Sequence, residues 1–469
     1  MRVAILCMNP WDAGGDYQPF SFAAYRIAAA VVASGRASEV RVIDGCNWTL
    51  QRWIDELEAF DPDVVGASTY VWSLPTFLEL ASRLKRNRPE RTVVFGGPSA
   101  RPAMLALEPH RHATQCVDAL VIGPGEEAIV EILDARKNGT PLASLAGLAL
   151  PSEGGFTETA PRPSTRDMNS LPSPYQLGLT PRGVTGQLET FRGCPMSCTF
   201  CQWGQLDSRT IVTSHEYLVA ELRAMREREA PGVALVDAGL NLNTRAFRAL
   251  ASAEAEVGLL AATSFDCEIY PTLLTDEQVE FLGATHAKVG IGMQSEDPQL
   301  LRSLQRPFKM ARFDSAVYRI ARVAKAAVEI IVGLPGDTPE GFRRTFERAS
   351  ALPVTIRVYH CLVLPDALLT RAASDSNMVF DPVTLEMRSC KGWSEHDLRS
   401  TLDWLSNEAA RRGGVHTRVY PRPATADDER VVFGRPVGSS LWIFPNEPVE
   451  RWHNSGRRGP PPAGLVAPA

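Results

Sequence analysis

The sequence predicts an α/β protein in three parts: an N-terminal doubly wound, Rossmann-like parallel sheet, a partial (β/α)6 barrel of the TIM type, and a small C-terminal α-rich region. Three observations predict it. Short apolar runs alternate with segments of helical apolar spacing, in two series separated by a proline-rich stretch. Glycine- and serine-containing loops follow the apolar runs, where open α/β sheets and (β/α) barrels carry their ligand sites. Three cysteines, Cys194, Cys198 and Cys201, crowd one loop at the start of the second series.

The first series occupies 1–140, the expected first domain. Strands are expected at 3–8, 40–43, 64–67, 93–95 and 119–122, with helices at 20–34, 48–60, 74–86 and 126–137. The first helix stops before Gly35. Four loops follow strands: one opening with Asn9 and Pro10 and running to Gly15; Ser68, Thr69, Tyr70, Val71 and Trp72; Gly96, Gly97, Pro98 and Ser99; and Gly123 to Glu127 with Gly125 and Glu126. Glycines there let the backbone approach a ligand closely. Trp72 reads equally well as a core aromatic at a helix start.

Residues 141–183 hold Pro141, Pro151, Pro161, Pro163, Pro172 and Pro174, and read as a linker: two short strands about a turn, then an extended strap. From 184 to 375 the alternation resumes, with strands at 187–191, 233–237, 260–268, 288–293, 327–332 and 354–364. Capping boxes at Thr213/Glu216 and Thr275/Gln278 start two of the helices. Six such repeats make a partial barrel. Its strand ends carry Asp237 to Asn243 with Asn241, then Glu268, Gln294 with Ser295, and Gly333, Leu334 and Pro335 before Gly336. Asp237 and Asn243 could instead cap the next helix, and the last group could be a plain turn.

Residues 376–455 show one clear helix at 394–411, with Leu398, Leu402 and Leu405 on one face, and short strands or apolar inserts at 431–433 and 441–444. Trp393, His396 and Trp404 are candidates for a substrate pocket there. Residues 456–469 are rich in Gly, Arg and Pro and read as a disordered tail.

Composition excludes several classes. A length of 469 residues supports two to four domains, and 22 % charged residues with a net charge of −5 argue against a nucleic-acid stripe or a membrane-surface role. No apolar run reaches spanning length, and the N-terminus enters a strand directly, so a cytoplasmic enzyme is expected. Nine cysteines in this length form no disulfide framework.

The cysteine trio carries the chemistry. Thiolates are the usual ligands of iron–sulfur clusters, and three of them leave one iron with an open position for a small molecule. Structural zinc is the competing reading. It wants a fourth ligand at finger-like spacing, whereas the next cysteine is Cys267 and the next histidine is His215, inside a helical pattern.

With Phe200 just before the last cysteine, this run resembles the signature of the radical S-adenosylmethionine (SAM) superfamily. With the four N-terminal loops ahead of it, residues 1–375 resemble the cobalamin-dependent radical SAM enzymes, and in particular the class B methyltransferases. The resemblance implies a 4Fe-4S cluster on Cys194, Cys198 and Cys201. It implies SAM held by Phe200, Gln202, Asp237, Asn241, Glu268, Gln294, Ser295, Gly333, Leu334 and Pro335. Cobalamin would be held by Asn9, Pro10, Ser68, Thr69, Tyr70, Val71, Trp72, Gly96, Gly97, Pro98, Gly123, Gly125 and Glu126, the last stretch lying against the domain interface. No residue is assigned a catalytic role.

The first loop lacks the Asp-x-His-x-x-Gly motif that supplies an axial histidine in cobalamin mutases, and His110 is the first histidine in the chain. The resemblance therefore implies base-off cobalamin without a protein histidine, with Tyr70, Val71 and Trp72 beneath the corrin; His110 or His112 as ligand is the alternative. The implied activity is methyl transfer from SAM through methylcobalamin to an inert carbon or phosphorus of a small-molecule or peptide natural product. Two others compete: a rearrangement, ring contraction or oxidative cyclisation with the same cofactors, and a corrinoid sensor without catalysis. The implied partners are that substrate and an external electron donor of the flavodoxin or ferredoxin type, with no nucleic acid and no membrane, the protein acting as a monomer.

Overall fold

A computed structural model of the chain describes residues 1–9, 21–46, 48–163, 165, 167–205, 210–306, 308–418 and 440–445. The first series gives β1 (Arg2–Asn9), α1 (Phe22–Ser34), β2 (Glu39–Cys46), α2 (Leu50–Phe60), β3 (Val64–Ser68), α3 (Leu74–Asn87), β4 (Thr92–Gly96), a short α4 (Pro102–Leu105), β5 (Ala119–Val121) and α5 (Gly125–Asn138). Strands β1 to β5 are parallel in the order 2-1-3-4-5. Successive residues of β1 feed opposite faces. Val3, Ile5 and Cys7 pack with α1 and α5, and Ala4 and Leu6 with α2 and α3. A sheet covered on both sides explains why its strands read as continuous apolar runs. The chain order reverses between β1 and β3, which puts the ligand crevice of such a sheet beyond those two strands.

The two short strands expected in the linker are present and extend the first sheet. β6 (Leu148–Ser152) and β7 (Gly155–Glu158) form a hairpin whose first strand pairs antiparallel with β5. Leu148 and Ala149 are buried, so the pairing covers what would otherwise be an open edge of β5.

The second series gives β8 (Gly186–Leu188), β9 (Phe191–Arg192), β10 (Ile211–Val212), α6 (His215–Glu227), β11 (Gly232–Leu235), α7 (Thr244–Val257), α8 (Leu259–Ala262), β12 (Ser264–Ile269), α9 (Asp276–Ala284), β13 (Lys288–Gln294), α10 (Pro298–Ser303), α11 (Met310–Ala321), β14 (Lys325–Val332), α12 (Pro339–Ser350), β15 (Thr355–His360) and α13 (Leu368–Arg371). Strands β8, β11, β12, β13, β14 and β15 are neighbours in that order, all parallel. Their outer faces bury Cys267, Ile291, Ile330 and Val358 under the helices. Register places Glu268 beside Gly290, and Gly292 beside Glu329 and then Arg357, on the opposite, inner face. The barrel interior is therefore polar, with two glycines on β13 leaving room in it.

Several boundaries differ from expectation: the strand expected at 187–191 divides into β8 and β9, and that at 354–364 ends at His360. Residues 259–262 form a helical turn rather than the start of β12, because the Glu254 carboxylate accepts from Leu260 N and Ala261 N and caps it. Helix α6 is capped by Ser214, which accepts from Tyr217 N, while the Thr213 hydroxyl donates to Glu189 O. The Thr275/Gln278 capping box of α9 is present.

Beyond the barrel lie β16 (Val379–Phe380), β17 (Met387–Ser389), α14 (Glu395–Arg411), β18 (Val415–Arg418) and β19 (Ser440–Phe444). β19 pairs antiparallel with β15 and β18 with β19, so this region adds two strands to the barrel sheet besides its long helix. Residues 431–433 and the tail 456–469 lie outside the described residues. Among those described, no helix is long and apolar enough to cross a membrane.

Candidate functional site

The N-terminal loops meet at the carboxyl ends of their strands. Thr69 N and Oγ1 donate to Gly96 O at 2.7 and 2.8 Å, and Ser99 N donates to Thr69 O, stitching the loops after β3 and β4 together. Gly97 adopts φ +90°, and a Cβ there would stand 2.7 Å from Thr69 O, so only glycine fits. Gly123 likewise adopts φ +97°. Tyr70 and Trp72 stack with ring centroids 4.3 Å apart, and Trp72 Nε1 donates to Met8 O at the end of β1. Trp72 is half-buried in this loop rather than a member of the sheet core, and it bridges the point where the strand order reverses. Asn9 donates to Asp44; Pro10 lies outside the described residues. His110 is buried beside the Pro382 main chain, and burial pulls its pKa down to about 4, whereas His112 is exposed.

The cysteine loop leaves β9 through Gly193 (φ +105°). Its entry is held by Asp237. Thr190 donates to that carboxylate through both N (2.8 Å) and its hydroxyl, and burial pushes the Asp237 pKa up to about 8. Thr199 N donates to Leu304 O, fastening the middle of the loop to the end of α10. Cys194 and Cys198 are buried and Cys201 is partly exposed. Burial raises the Cys194 and Cys201 thiols, while the Arg306 guanidinium opposes that rise. Arg306 Nη1 lies 3.7 Å from Cys198 Sγ, Nη2 donates to Gly292 O, and the group rests 5.1 Å from the Tyr270 ring centroid. Among the described residues, no three His, Cys, Asp or Glu side chains converge on one metal-ion position.

At the barrel strand ends, Asn241 clasps the Tyr270 backbone, donating to its O at 2.7 Å and accepting from its N at 2.8 Å. Asn243 caps α7, as its alternative reading allowed. Gln294 sits at φ +66° beside a register shift in the β13–β14 pairing, and its buried Oε1 has no hydrogen-bond partner among the described residues. A non-glycine residue held left-handed at a strand end stores strain of a kind found at functional sites. Ser295 is fully buried against the Thr345 hydroxyl. Gly333 adopts φ +86°; Leu334 beside it is fully buried, and Pro335 is buried too. The turn around Cys390 and Lys391 packs over this loop, Cys390 Sγ lying 3.6 Å from Gly333 O and Gly336 N donating to Lys391 O. Phe200 packs against the barrel core.

Inside the barrel, the Glu268 carboxylate lies over Gly290, where a Cβ would stand 2.1 Å from Oε1. Burial and then the nearby Glu329 hold its pKa well above the usual carboxylate range, against Arg357 and Arg306. Arg357 and Tyr359 both donate to Glu329 Oε1, at 3.3 and 3.2 Å. Trp393 and Trp404 do not join this interior. They pack against Phe342 and Phe346 of α12, on the helical side, and His396 is exposed.

Charged contacts join the two lobes. Glu126, in the first turn of α5, pairs with Arg192 of β9, which also pairs with Glu189. Buried Arg26 of α1 reaches Tyr217 OH at 2.6 Å and Glu189 at 3.8 Å. Gln202 Nε2 donates to Pro98 O at 3.3 Å and Pro365 O at 2.9 Å, placing the Gly96–Gly97 loop beside the cysteine loop. Sequence reasoning missed Arg26, Arg192, Arg306, Glu329, Arg357 and Arg371. Only Arg192, close to the cysteines, carried a local signal; the others join segments far apart in the chain.

Comparison with known proteins agrees with this architecture. The B12 binding domain family matches residues 13–133, and the radical SAM superfamily matches residues 188–349. The chain is 30% identical over 341 residues to 2-(S-pantetheinyl)-carbapenam-3-carboxylate methyltransferase of Streptantibioticus cattleyicolor, covering 66% of this chain and 48% of that protein. It is 30% identical over 346 residues to the cobalamin-dependent radical SAM methyltransferase TokK of Streptomyces tokunonensis, with the same coverage. The chain thus spans about half the length of these curated relatives. Its fold matches the radical S-adenosylmethionine methyltransferase TsrM of Kitasatospora setae, solved with tryptophan substrate and a SAM analogue, with a TM-score of 0.64, 18% identity, and coverage of 87% of this chain and 90% of that one. A B12 binding domain match ahead of a radical SAM superfamily match, with Gln202 bridging a loop of each, is the domain order that makes this chain similar to the cobalamin-dependent radical SAM methyltransferases.

Proposed function

We propose that the chain is a cobalamin-dependent radical SAM methyltransferase, moving a methyl group from SAM by way of cobalamin to an inert carbon or phosphorus of a small-molecule or peptide natural product. The observation that carries this reading is the apposition of the cysteine loop and the Gly96–Gly97 loop, bridged by Gln202, in a chain with both domains. Its similarity to two curated methyltransferases supports methylation over rearrangement.

In this reading Cys194, Cys198 and Cys201 hold a 4Fe-4S cluster, three thiols on one loop being the donor set such a cluster takes when one iron stays open. The Gly97 cradle, the Gly123–Gly125 loop and Trp72 would hold cobalamin, in the base-off form because none of these loops offers a histidine. SAM lies along the barrel strand ends, where the orphaned Gln294 Oε1 offers an acceptor and the Gly333 loop admits a flat ring. When bound, cluster and SAM supply a hydrogen-abstracting 5′-deoxyadenosyl radical, and cobalamin supplies the methyl group. Arg306 lays positive charge beside Cys198, where an anionic SAM carboxylate would sit. Asp237 and Asn241 orient backbone rather than ligand: the first holds the entry to the cysteine loop, the second the Tyr270 turn. An external flavodoxin- or ferredoxin-type donor supplies electrons, and the protein works as a cytoplasmic monomer.

The test is anaerobic reconstitution with cobalamin and SAM bearing a trideuterated methyl group. Mass spectrometry should find the label on cobalamin together with S-adenosylhomocysteine; unlabelled cobalamin after reduction would refute the methyltransferase reading.

A further inference from the structure

One short segment after the barrel touches both cofactor loops. Arg371, the last residue of α13, donates to three main-chain carbonyls of the cysteine loop: Nη1 to Ser197 O at 3.3 Å, and Nη2 to Cys198 O at 2.8 Å and Cys201 O at 2.5 Å. Its Nε donates to Asp366 O at 2.9 Å. Asp366, held left-handed at φ +56°, turns its carboxylate to Arg101 Nε, and Arg101 donates through Nη1 to Gly97 O and Ala100 O at 3.1 Å. Gln202 closes the ring between Pro365 O and Pro98 O.

We propose that segment 365–371 is a splint that fixes the cysteine loop against the Gly96–Gly97 loop, and that Arg371 is the positioning residue for the cluster. The proposal rests on the reading of the cysteine loop as a cluster site. Three carbonyls drawn to one guanidinium leave the loop few ways to open, and the planar fork suits this task because its donors are preset in direction. A fixed positive charge one residue layer from the cysteines also stabilises the reduced, more negative form of a cluster. A neutral side chain would supply no such charge. The left-handed Asp366 faces Arg101 with its carboxylate and Arg371 with its carbonyl, so these two arginines meet at one residue rather than at two independent contacts.

The experiment uses the full chain, anaerobically reconstituted, as wild type, Arg371→Ala and Arg371→Lys. It reads iron and sulfide content, the midpoint potential by redox titration, and iron loss to a chelator. Arg371→Ala should lower cluster content several-fold and move the potential to a more negative value. Arg371→Lys should restore the potential, having restored the charge, but lose iron to the chelator several-fold faster than wild type, having lost the fork. Wild-type potential and iron retention in Arg371→Ala would overturn the proposal. Should Arg371→Ala fail to fold by circular dichroism, Arg371→Lys with wild-type chelator resistance would overturn it instead. Wild type itself taking up no cluster would refute the underlying cluster reading, an outcome distinct from all of these.

Discussion

Arg192 Nη2 stands 2.8 Å from Glu126 Oε1, joining the strand that delivers the cysteine loop to the helix that opens at the Gly123–Gly125 loop. The residue implied by resemblance as a cobalamin contact, Glu126, thus spends its carboxylate at the seam between the lobes. Burial opposes its ionisation, but Arg192 prevails and holds its pKa below the usual carboxylate range.

Removing one partner of this pair should cost stability on the order of 3 kcal/mol, because a buried carboxylate loses its counter-charge. Arg192→Ala is expected to show this by denaturant unfolding, with Arg192→Met/Glu126→Leu recovering part of it. The pH dependence has a definite sign. A depressed folded-state pKa gives stability that is present above the unfolded value of about 4.3 and lost as pH falls through the folded value. Glu126→Gln should therefore flatten the acid limb of the stability profile; an unchanged limb would contradict the pairing.

Glu268 should act in the opposite direction. Its pKa is raised by burial and Glu329, so the native state holds a proton that the unfolded chain releases. Stability from this group is full below about pH 4.3 and declines as pH rises toward the elevated folded value. Glu268→Gln should gain on wild type progressively between pH 5 and 9 in thermal unfolding. A constant difference across that range would mean that Glu268 is already ionised at pH 5.

Cys194→Ala, Cys198→Ala and Cys201→Ala should each lose the site-differentiated cluster and abolish reductive SAM cleavage. Cobalamin binding, followed by absorbance, should survive within about twofold, since the N-terminal sheet has apolar cores of its own. Retained iron, sulfide and 5′-deoxyadenosine formation in the triple variant would contradict the cluster assignment.

Much of this was legible because strand ends announce themselves. The apolar runs of β1 and β3 are continuous since both faces of a buried parallel strand need apolar side chains, and Gly97 of the Gly96–Gly97 pair marks a backbone that a Cβ would block. The hairpin β6–β7 was visible as two short strands but not as part of the first sheet, because antiparallel pairing onto β5 is a tertiary choice that prolines nearby disguised. The edge strand β18 escaped for the same reason, whereas 441–444, readable as a short strand or an apolar insert, is β19. Arg306 and Arg371 left no trace: each acts on a loop more than a hundred residues earlier, and an arginine among 49 basic residues has no periodicity to betray it.

The lower face of cobalamin offers another test. Trp72 bridges to Met8 O at the reversal of strand order, while His110 is buried beside Pro382 and uncharged at neutral pH. Electron paramagnetic resonance of the cob(II)alamin form should show no nitrogen superhyperfine splitting from the protein. Splitting that disappears in His110→Ala/His112→Ala would contradict base-off binding without a histidine.

The most direct test of the whole account is a single-turnover measurement on the full chain loaded with cluster and cobalamin, reduced anaerobically with SAM whose methyl group is trideuterated. The account predicts 5′-deoxyadenosine, S-adenosylhomocysteine and trideuteromethyl-cobalamin in the wild type, with 5′-deoxyadenosine absent from the Cys198→Ala variant. Cluster-loaded wild type that yields neither SAM product, or that yields as much 5′-deoxyadenosine with Cys198 removed, would contradict it.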